Sequence, residues 1–114
     1  MSDAAGFNIY SLSPDMVDKV VRSYFDPSGL EYGVIRVPLA GVDFSTHTYT
    51  YDDSPNDFNL TNFSLSMEDI KWKIPFVQAA IKASKKTLKM FGSAWTAPPW
   101  FDALKQSSNF PLNI

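Results

Sequence analysis

The sequence contains no cysteine and only one histidine, His47, in its 114 residues. Without cysteine the chain can form no disulfide framework and no thiolate-based zinc site. A single histidine gives little support to a metal site or to a serine–histidine–aspartate triad. The five glycines match neither a phosphate-binding loop nor a dinucleotide fingerprint. We therefore expect no metal and no cofactor, and we interpret His47 as an ordinary loop residue.

The chain also lacks an excess of positive charge and a long apolar run. Its formal net charge of -2 argues against binding of nucleic acid through a general positive field. No apolar segment approaches the roughly 18 residues that a membrane span requires. The first ten residues do not show the basic and apolar regions of a signal peptide. We expect one domain, with no transmembrane segment and no signal peptide in this chain.

Two segments have the apolar periodicity of helices. Residues 11–26 are predicted to form the first helix, because Ser13 can cap it and a proline follows directly. The second is predicted from Ser66, with Asp69 completing a capping box and Pro75 kinking or splitting the helix. Lys71, Lys82 and Lys86 are interpreted as a solvated face, with contact to anionic lipid or an acidic partner as the alternative. The predicted apolar stripe of this helix consists of Ile70, Ile74, Val77 and Ile81.

Two short apolar runs, at residues 32–39 and 88–95, are predicted to be strands, and the first is predicted to be buried. The order helix, strand, long loop, helix, strand is typical of parallel sheets that are built by right-handed crossovers. Two strands provide too little sheet to cover the helices and protect the sheet edges. We therefore predict an α/β fold in which these strands belong to a larger parallel sheet.

The candidate ligand-binding residues follow the two predicted strands, where parallel α/β folds bind their ligands. Asp43 follows the first strand, and it is either a turn or capping residue, or a carboxylate that binds a polar ligand or belongs to a catalytic pair. Trp95 ends the second strand, where an indole commonly covers the apolar face of a sugar ring. Trp100 is interpreted as a core aromatic that anchors a loop, next to a short helix over residues 98–104.

The long loop over residues 40–61 is rich in aromatic residues, which favours an ordered, functional loop. Arg36 lies within an apolar strand, and a buried guanidinium requires a partner. Both a structural salt bridge and a position beneath the ligand site remain open for it. Three further aspartates of the loop are interpreted as solvated charges: Asp52, Asp53 and Asp57.

Two acceptor sequons for N-glycosylation lie close together, at Asn59 and Asn62. Each tripeptide alone is a weak signal, because such sequences arise by chance. The close pair in a polar loop favours a secretory or lysosomal route.

The runs "VIRVPLAGVDFSTHTYTYDDSPNDFNLTNFSLSMEDIKWKIP" and "GSAWTAPPW" resemble the glucosylceramidase (glucocerebrosidase) family of glycoside hydrolases. The resemblance extends from "SDAA" near the start to "PPWFDAL" and so includes most of the chain. It implies that residues 1–114 are a fragment of a (β/α)₈ TIM-barrel catalytic domain. The fragment would extend from about the end of barrel strand 1 to the loop after barrel strand 3.

The family resemblance also implies roles for individual residues. Asp43 matches an aspartate that hydrogen-bonds glucose hydroxyls, and Trp95 matches a tryptophan of the same pocket. Arg36 matches an arginine near the pocket floor, and we expect Phe44 and Trp100 to support the pocket as well.

The resemblance further implies a substrate, a location and partners for the whole protein. The family reaction is retaining hydrolysis of the β-glucosidic bond of glucosylceramide, in sphingolipid catabolism, and other β-glucosides are related substrates. A lysosomal location, a saposin-type activator and anionic lipid are implied in the same way. Asn62 matches a glycosylated asparagine, and Asn59 is the second candidate for glycosylation.

The catalytic residues of the family are absent from this chain. Retaining hydrolysis needs two carboxyl groups about 5 Å apart, and in the family both are glutamates on later strands. The only glutamates here are Glu31 and Glu68, and neither is predicted at the C-terminal end of a strand. We therefore expect the 114 residues alone to be inactive. The alternative function is a non-enzymatic carbohydrate-binding or interaction protein derived from a barrel fragment.

Overall fold

The computed structural model describes residues 1–101. In chain order, these residues form α1 (Asp3–Tyr10), α2 (Pro14–Phe25), β1 (Val34–Leu39), a π-helical turn (Asp69–Lys73), α3 (Ile74–Ala83) and β2 (Lys89–Ala94). Within this part of the chain, no helix has the length and hydropathy needed to cross a membrane.

The two strands pair in parallel, as predicted, and their register aligns their ends. Val34 lies opposite Lys89, and Leu39 lies opposite Ala94. The loops that follow β1 and β2 therefore leave the same edge of the sheet at the same level. This edge is where the sequence places Asp43 and Trp95.

The prediction that the first strand is buried was only half right. Ile35 is buried in β1, whereas Val34 and Leu39 are exposed, and β2 is exposed along most of its length. Alternate residues of a strand point to opposite faces. Within residues 1–101, the helices cover Ile35 on one face but leave Leu39 on that face exposed, and on the other face Val34 and Arg36 are uncovered.

The core lies between α2, α3 and the covered face of β1. Its buried members are Val21, Phe25, Ile35, Phe76 and Ala80. The predicted isoleucine stripe is not the buried face of the second helix, because Ile70, Ile74 and Ile81 are all exposed. Phe76 and Ala80 pack into the core instead, and this orientation turns the isoleucines away from α2.

The second helical region changes its geometry just before Pro75. The predicted reach of Asp69 back to Ser66 is confirmed: Oδ2 of Asp69 accepts hydrogen bonds from the Ser66 amide at 3.2 Å and its hydroxyl at 2.6 Å. A π-helical turn follows, and Pro75 lies in the first turn of α3. Pro75 has no amide hydrogen to donate, and the π-helical turn before it interrupts the regular α-helical hydrogen-bond ladder at this point.

The first helix, α1, was not predicted, since its apolar pattern is weak and the resemblance suggested the end of a strand in this region. Ser2 caps α1, with its Oγ accepting a hydrogen bond from the Ala5 amide at 3.2 Å, and Asp3 lies in the first turn. Gly6 packs directly on Trp72 of the π-helical turn, where an added Cβ would lie 2.9 Å from Cβ of Trp72. Helix α1 therefore covers the π-helical turn.

Candidate functional site

Asp43 and Trp95 lie side by side at the C-terminal edge of the sheet. The indole Nε1–H of Trp95 donates to Oδ1 of Asp43 at 3.3 Å. The guanidinium of Arg36 lies over the Trp95 ring, 5.1 Å from its centroid. A carboxylate, an indole and a guanidinium thus form one exposed cluster, which contains the groups that commonly bind a sugar: hydrogen-bonding charges beside an aromatic face.

Of the two alternatives that the sequence left open for Arg36, the buried structural salt bridge is wrong. Arg36 is exposed on the uncovered face of β1. Within residues 1–101, no carboxylate lies within salt-bridge distance of its guanidinium, and its side chain is held by the Trp95 ring instead. A cation over an indole face is stabilised by the ring quadrupole and stays hydrated on its other side.

The loops that carry Asp43 and Trp95 are joined by a second hydrogen bond. The hydroxyl of Thr96 donates to the carbonyl oxygen of Gly41 at 2.6 Å. On the other side of Asp43, the Val42 amide donates to the hydroxyl of Ser45 at 2.9 Å and closes a tight turn. These contacts hold both loops in place from their first residues.

Trp100 anchors the long loop, as predicted. Its Nε1–H donates to the carbonyl oxygen of Asp52 at 2.9 Å, and its ring meets Phe58 edge-on, with 5.4 Å between the ring centroids. Trp95 and Trp100 both line a cavity of about 620 Å³ at this end of the sheet. The last residues of the predicted short helix, 102–104, lie outside the described residues.

Two of the three loop aspartates are not solvated, which corrects the prediction made for them. Asp52 is 4% exposed and Asp57 is 9% exposed, whereas Asp53 is exposed as expected. Asp57 accepts hydrogen bonds from the amides and side chains of both Thr61 and Asn62. The Thr61 hydroxyl, together with these other donors, lowers the pKa of Asp57 to about 2. Asp57 therefore organises the segment that contains both sequons.

The remaining predicted residues are accessible. Phe44 extends into solvent and is 85% exposed. Asn59 and Asn62 are exposed. His47 lies in the loop, as predicted, with Nε2 located 3.4 Å from Oε1 of Glu68.

A buried polar cluster next to the site was missed by the sequence analysis. Lys73 is 2% exposed, and its ammonium contacts Oδ1 of Asp69 at 3.0 Å and the Tyr51 hydroxyl at 3.1 Å. The Tyr51 hydroxyl in turn donates to Oδ1 of Asp69 at 2.6 Å. The i,i+4 spacing of Asp69 and Lys73 is the signal that was available in the sequence.

The cluster shifts the ionisation of its members. Burial, followed by the hydrogen bond to Asp69, raises the pKa of Tyr51. Burial alone would raise the pKa of Asp69, but the hydrogen bonds from Ser66, Tyr51 and Lys73 outweigh it and lower that pKa. At neutral pH Asp69 is therefore a carboxylate and Tyr51 a neutral phenol.

The chain leaves β1 through a residue in a rarely populated conformation. Ala40 has a φ of 64° and is almost fully buried. A non-glycine residue in this left-handed region costs roughly 1–2 kcal/mol, so contacts around Ala40 must maintain it.

Comparison with known proteins agrees with this architecture. The Glycosyl hydrolase family 30 TIM-barrel domain matches residues 1–110. The lysosomal acid glucosylceramidase of Mus musculus is 51% identical over 100 residues, covering 88% of this chain and 19% of the mouse protein. The putative glucosylceramidase 4 of Caenorhabditis elegans is 48% identical over 99 residues, covering 87% of this chain and 19% of the nematode protein.

A solved structure supports the same assignment. SrfJ from Salmonella typhimurium superimposes with a TM-score of 0.76 at 28% identity, covering 85% of this chain and 21% of SrfJ. The chain belongs to glycosyl hydrolase family 30. This confirms the resemblance read from the sequence and the partial TIM-barrel fold, with β1 and β2 as two parallel strands of the barrel. The chain spans about a fifth of the length of the relatives it matches.

Proposed function

We propose that this chain forms one wall of the glucose pocket of a glucosylceramidase, as a segment of its TIM-barrel catalytic domain. The observation that carries the proposal is the contact between Asp43 and Trp95 at the C-terminal edge of the two parallel strands. Asp43 would accept hydrogen bonds from sugar hydroxyls, and Trp95 would pack on the sugar ring. Arg36 would hold the indole from below, and Trp100 would keep the neighbouring loop in place.

The reaction proposed for the whole protein is retaining hydrolysis of the β-glucosidic bond of glucosylceramide. Identity of 51% to the mouse lysosomal acid glucosylceramidase supports this substrate. We also propose a lysosomal location from the same relationship. From the family resemblance we propose assistance by a saposin-type activator and anionic lipid, and glycosylation at Asn62, with Asn59 as a second site.

We propose that the catalytic carboxylates lie outside this chain. Glu31 lies before β1 and pairs with Lys86 at 3.3 Å. Glu68 is buried next to the π-helical turn, with His47 beside it. Neither follows the C-terminal end of β1 or β2, where a TIM barrel carries its catalytic groups. The 114 residues alone are therefore proposed to be inactive.

The test is a chimera in which this chain replaces the matching 100-residue segment of the mouse lysosomal acid glucosylceramidase. We expect the chimera to hydrolyse glucosylceramide at acid pH and the purified 114 residues to show no turnover. Asp43→Ala and Trp95→Ala should each abolish most of the chimera's activity, whereas Asp15→Ala on the exposed face of α2 should not. Full activity of a folded Asp43→Ala chimera, or turnover by the isolated chain, would contradict the proposal.

A second candidate function is carbohydrate binding without catalysis. It is favoured by the same cluster, because the sugar-binding groups are present and both glutamates lie away from the strand ends. Binding of methyl β-D-glucoside by the isolated chain, together with an inactive chimera, would favour this function over glucosylceramidase.

A further inference from the structure

The ammonium of Lys73 is buried, and hydrogen-bond acceptors surround it. Besides Asp69 and the Tyr51 hydroxyl, it donates to the carbonyl oxygens of Pro38 at 3.1 Å and Ala40 at 3.0 Å. A buried ammonium is unfavourable unless its protons are hydrogen-bonded and its charge is paired. Lys73 meets both conditions, so its charge stays buried at this position.

The two carbonyl groups that Lys73 binds flank the end of β1. Pro38 precedes the last residue of the strand, and Ala40 follows it with the left-handed φ of 64°. The chain then continues through Gly41, whose amide donates to the carbonyl oxygen of Tyr49 at 3.1 Å. Lys73 thus binds the segment in which the strand turns into the loop that carries Asp43.

The same cluster holds the other side of this loop. Tyr51 hydrogen-bonds to both Asp69 and Lys73. It lies two residues after Tyr49, whose carbonyl oxygen accepts the hydrogen bond from the Gly41 amide. The ammonium also lies near the ring faces of Tyr49 and Tyr51, at 5.4 and 5.6 Å from their centroids. Residues 41–49 are therefore closed into a loop whose two ends meet at one buried charge.

We infer that Lys73, together with Tyr51 and Asp69, is a positioning group for the sugar site. It fixes the turn over residues 38–41 and thereby keeps Asp43 within hydrogen-bond distance of Trp95. Lys73 acts through the main chain and through the closed loop, and its contacts do not include either side chain of the pair. This inference rests on the proposed function for its relevance to sugar binding, while the ordering of the loop can be measured separately.

The experiment is amide hydrogen exchange by NMR on the ¹⁵N-labelled 114-residue chain, comparing Lys73→Met and Tyr51→Phe with the unmodified protein. We expect the amides of Gly41 and Val42 to exchange at least tenfold faster in Lys73→Met, and less markedly faster in Tyr51→Phe, because both amides belong to the closed loop. Amides of Val21 and Phe25, in α2, should keep their rates. Lys71→Met is the matched control, since Lys71 is exposed on the same π-helical turn and lies over the Trp72 ring.

If Lys73→Met unfolds the chain, Tyr51→Phe is the variant that tests the inference. Tyr51→Phe removes one hydroxyl and leaves every charge in place. Local acceleration at Gly41 and Val42 supports the inference. Uniform acceleration along the chain, unchanged rates, an equal effect of Lys71→Met, or no protection of Gly41 in the unmodified chain would each overturn it.

A titration with methyl β-D-glucoside separates this inference from the proposed function. The signal is the indole resonance of Trp95, identified by its loss in Trp95→Phe. A glucoside-dependent shift supports both proposals if the affinity for the glucoside is at least threefold lower in Tyr51→Phe. No shift in the unmodified chain counts against sugar binding even when the exchange result is local. A shift with unchanged affinity and unchanged exchange in Tyr51→Phe overturns the positioning role alone.

Discussion

Trp95 donates its indole N–H to Oδ1 of Asp43 over 3.3 Å, although 52 positions separate the two residues in the sequence. The contact joins the loop after β1 to the loop after β2. It also consumes one acceptor site of the carboxylate and leaves the others for a ligand, since an ionised aspartate has about four lone-pair positions. The indole therefore orients Asp43 without occupying all of its oxygen atoms.

Replacement of Asp43 by asparagine should separate orientation from charge. The amide oxygen can still accept the indole N–H, but a sugar hydroxyl loses a charged acceptor. Hydrogen bonds to charged groups contribute about 1.5–3 kcal/mol, so kcat/KM of the chimera for glucosylceramide should fall about 10- to 100-fold. Steady-state kinetics would measure this, with Asp15→Asn as the control. An unchanged kcat/KM would show that Asp43 does not contact the substrate.

Gly6 should not tolerate a side chain. An added Cβ would lie 2.9 Å from both Cβ and the backbone oxygen of Trp72, so Gly6→Ala should push α1 away from the π-helical turn. We expect the free energy of unfolding to fall by about 1–3 kcal/mol, the usual cost of overpacking.

The matched control for Gly6→Ala is Gly33→Ala, since a Cβ at Gly33 would meet only Cε of Lys86, at 3.6 Å. We expect it to be neutral or slightly stabilising, by roughly 0.5 kcal/mol, because alanine restricts the unfolded chain. Urea unfolding followed by tryptophan fluorescence would compare the two variants. Equal stabilities would show that α1 does not pack on Trp72 as described.

Acid should loosen the sequon segment before it affects the helices. The pKa of Asp57 is lowered from 3.8 to about 2, so its carboxylate stabilises the folded loop above pH 4. That contribution is lost as the pH falls from about 4 through 2, because the unfolded chain takes up the proton at a higher pH than the folded chain does. The amides of Thr61 and Asn62 should show increased exchange in this window. In Asp57→Asn the increase should be present at every pH, and a transition above pH 5 would contradict the assignment.

Asn62 should carry an N-linked glycan when the chain is expressed through a secretory pathway. Its side chain is exposed, and Nδ2 uses one hydrogen in its 3.2 Å contact with Asp57, which leaves the other position for the sugar. Mass spectrometry before and after removal of N-glycans would detect it. Asn62→Gln should remove this glycan, Asn59→Gln should remove a second one if both sequons are used, and an unmodified Asn62 would contradict the prediction.

The strands and the convergence of Asp43 with Trp95 were predictable because they depend on short-range patterns and one general rule. Apolar runs mark the strands, and residues after parallel strands meet at one edge of the sheet. Helix α2 was predictable for a similar reason: its Ser13–Pro14 start and apolar spacing are local signals.

The burial of Asp52 and Lys73 depends on partners that lie far away in the sequence. Asp52 is covered because Trp100, 48 positions later, binds its carbonyl oxygen. Lys73 is buried because a strand end 33 positions earlier presents a carbonyl group to it. Charged residues are usually exposed, so such exceptions become visible only when the fold brings their partners together.

The aligned strand ends have a consequence for how folding can be followed. Since Leu39 lies opposite Ala94, a slip of one residue between the strands would turn Trp95 to the opposite face of the sheet. A slip of two residues would carry the ring about 6.6 Å along the strand. In correctly aligned molecules the indole of Trp95 lies beside the carboxylate of Asp43, and in misaligned molecules it does not. A difference in Trp95 fluorescence would therefore distinguish the two while the barrel assembles.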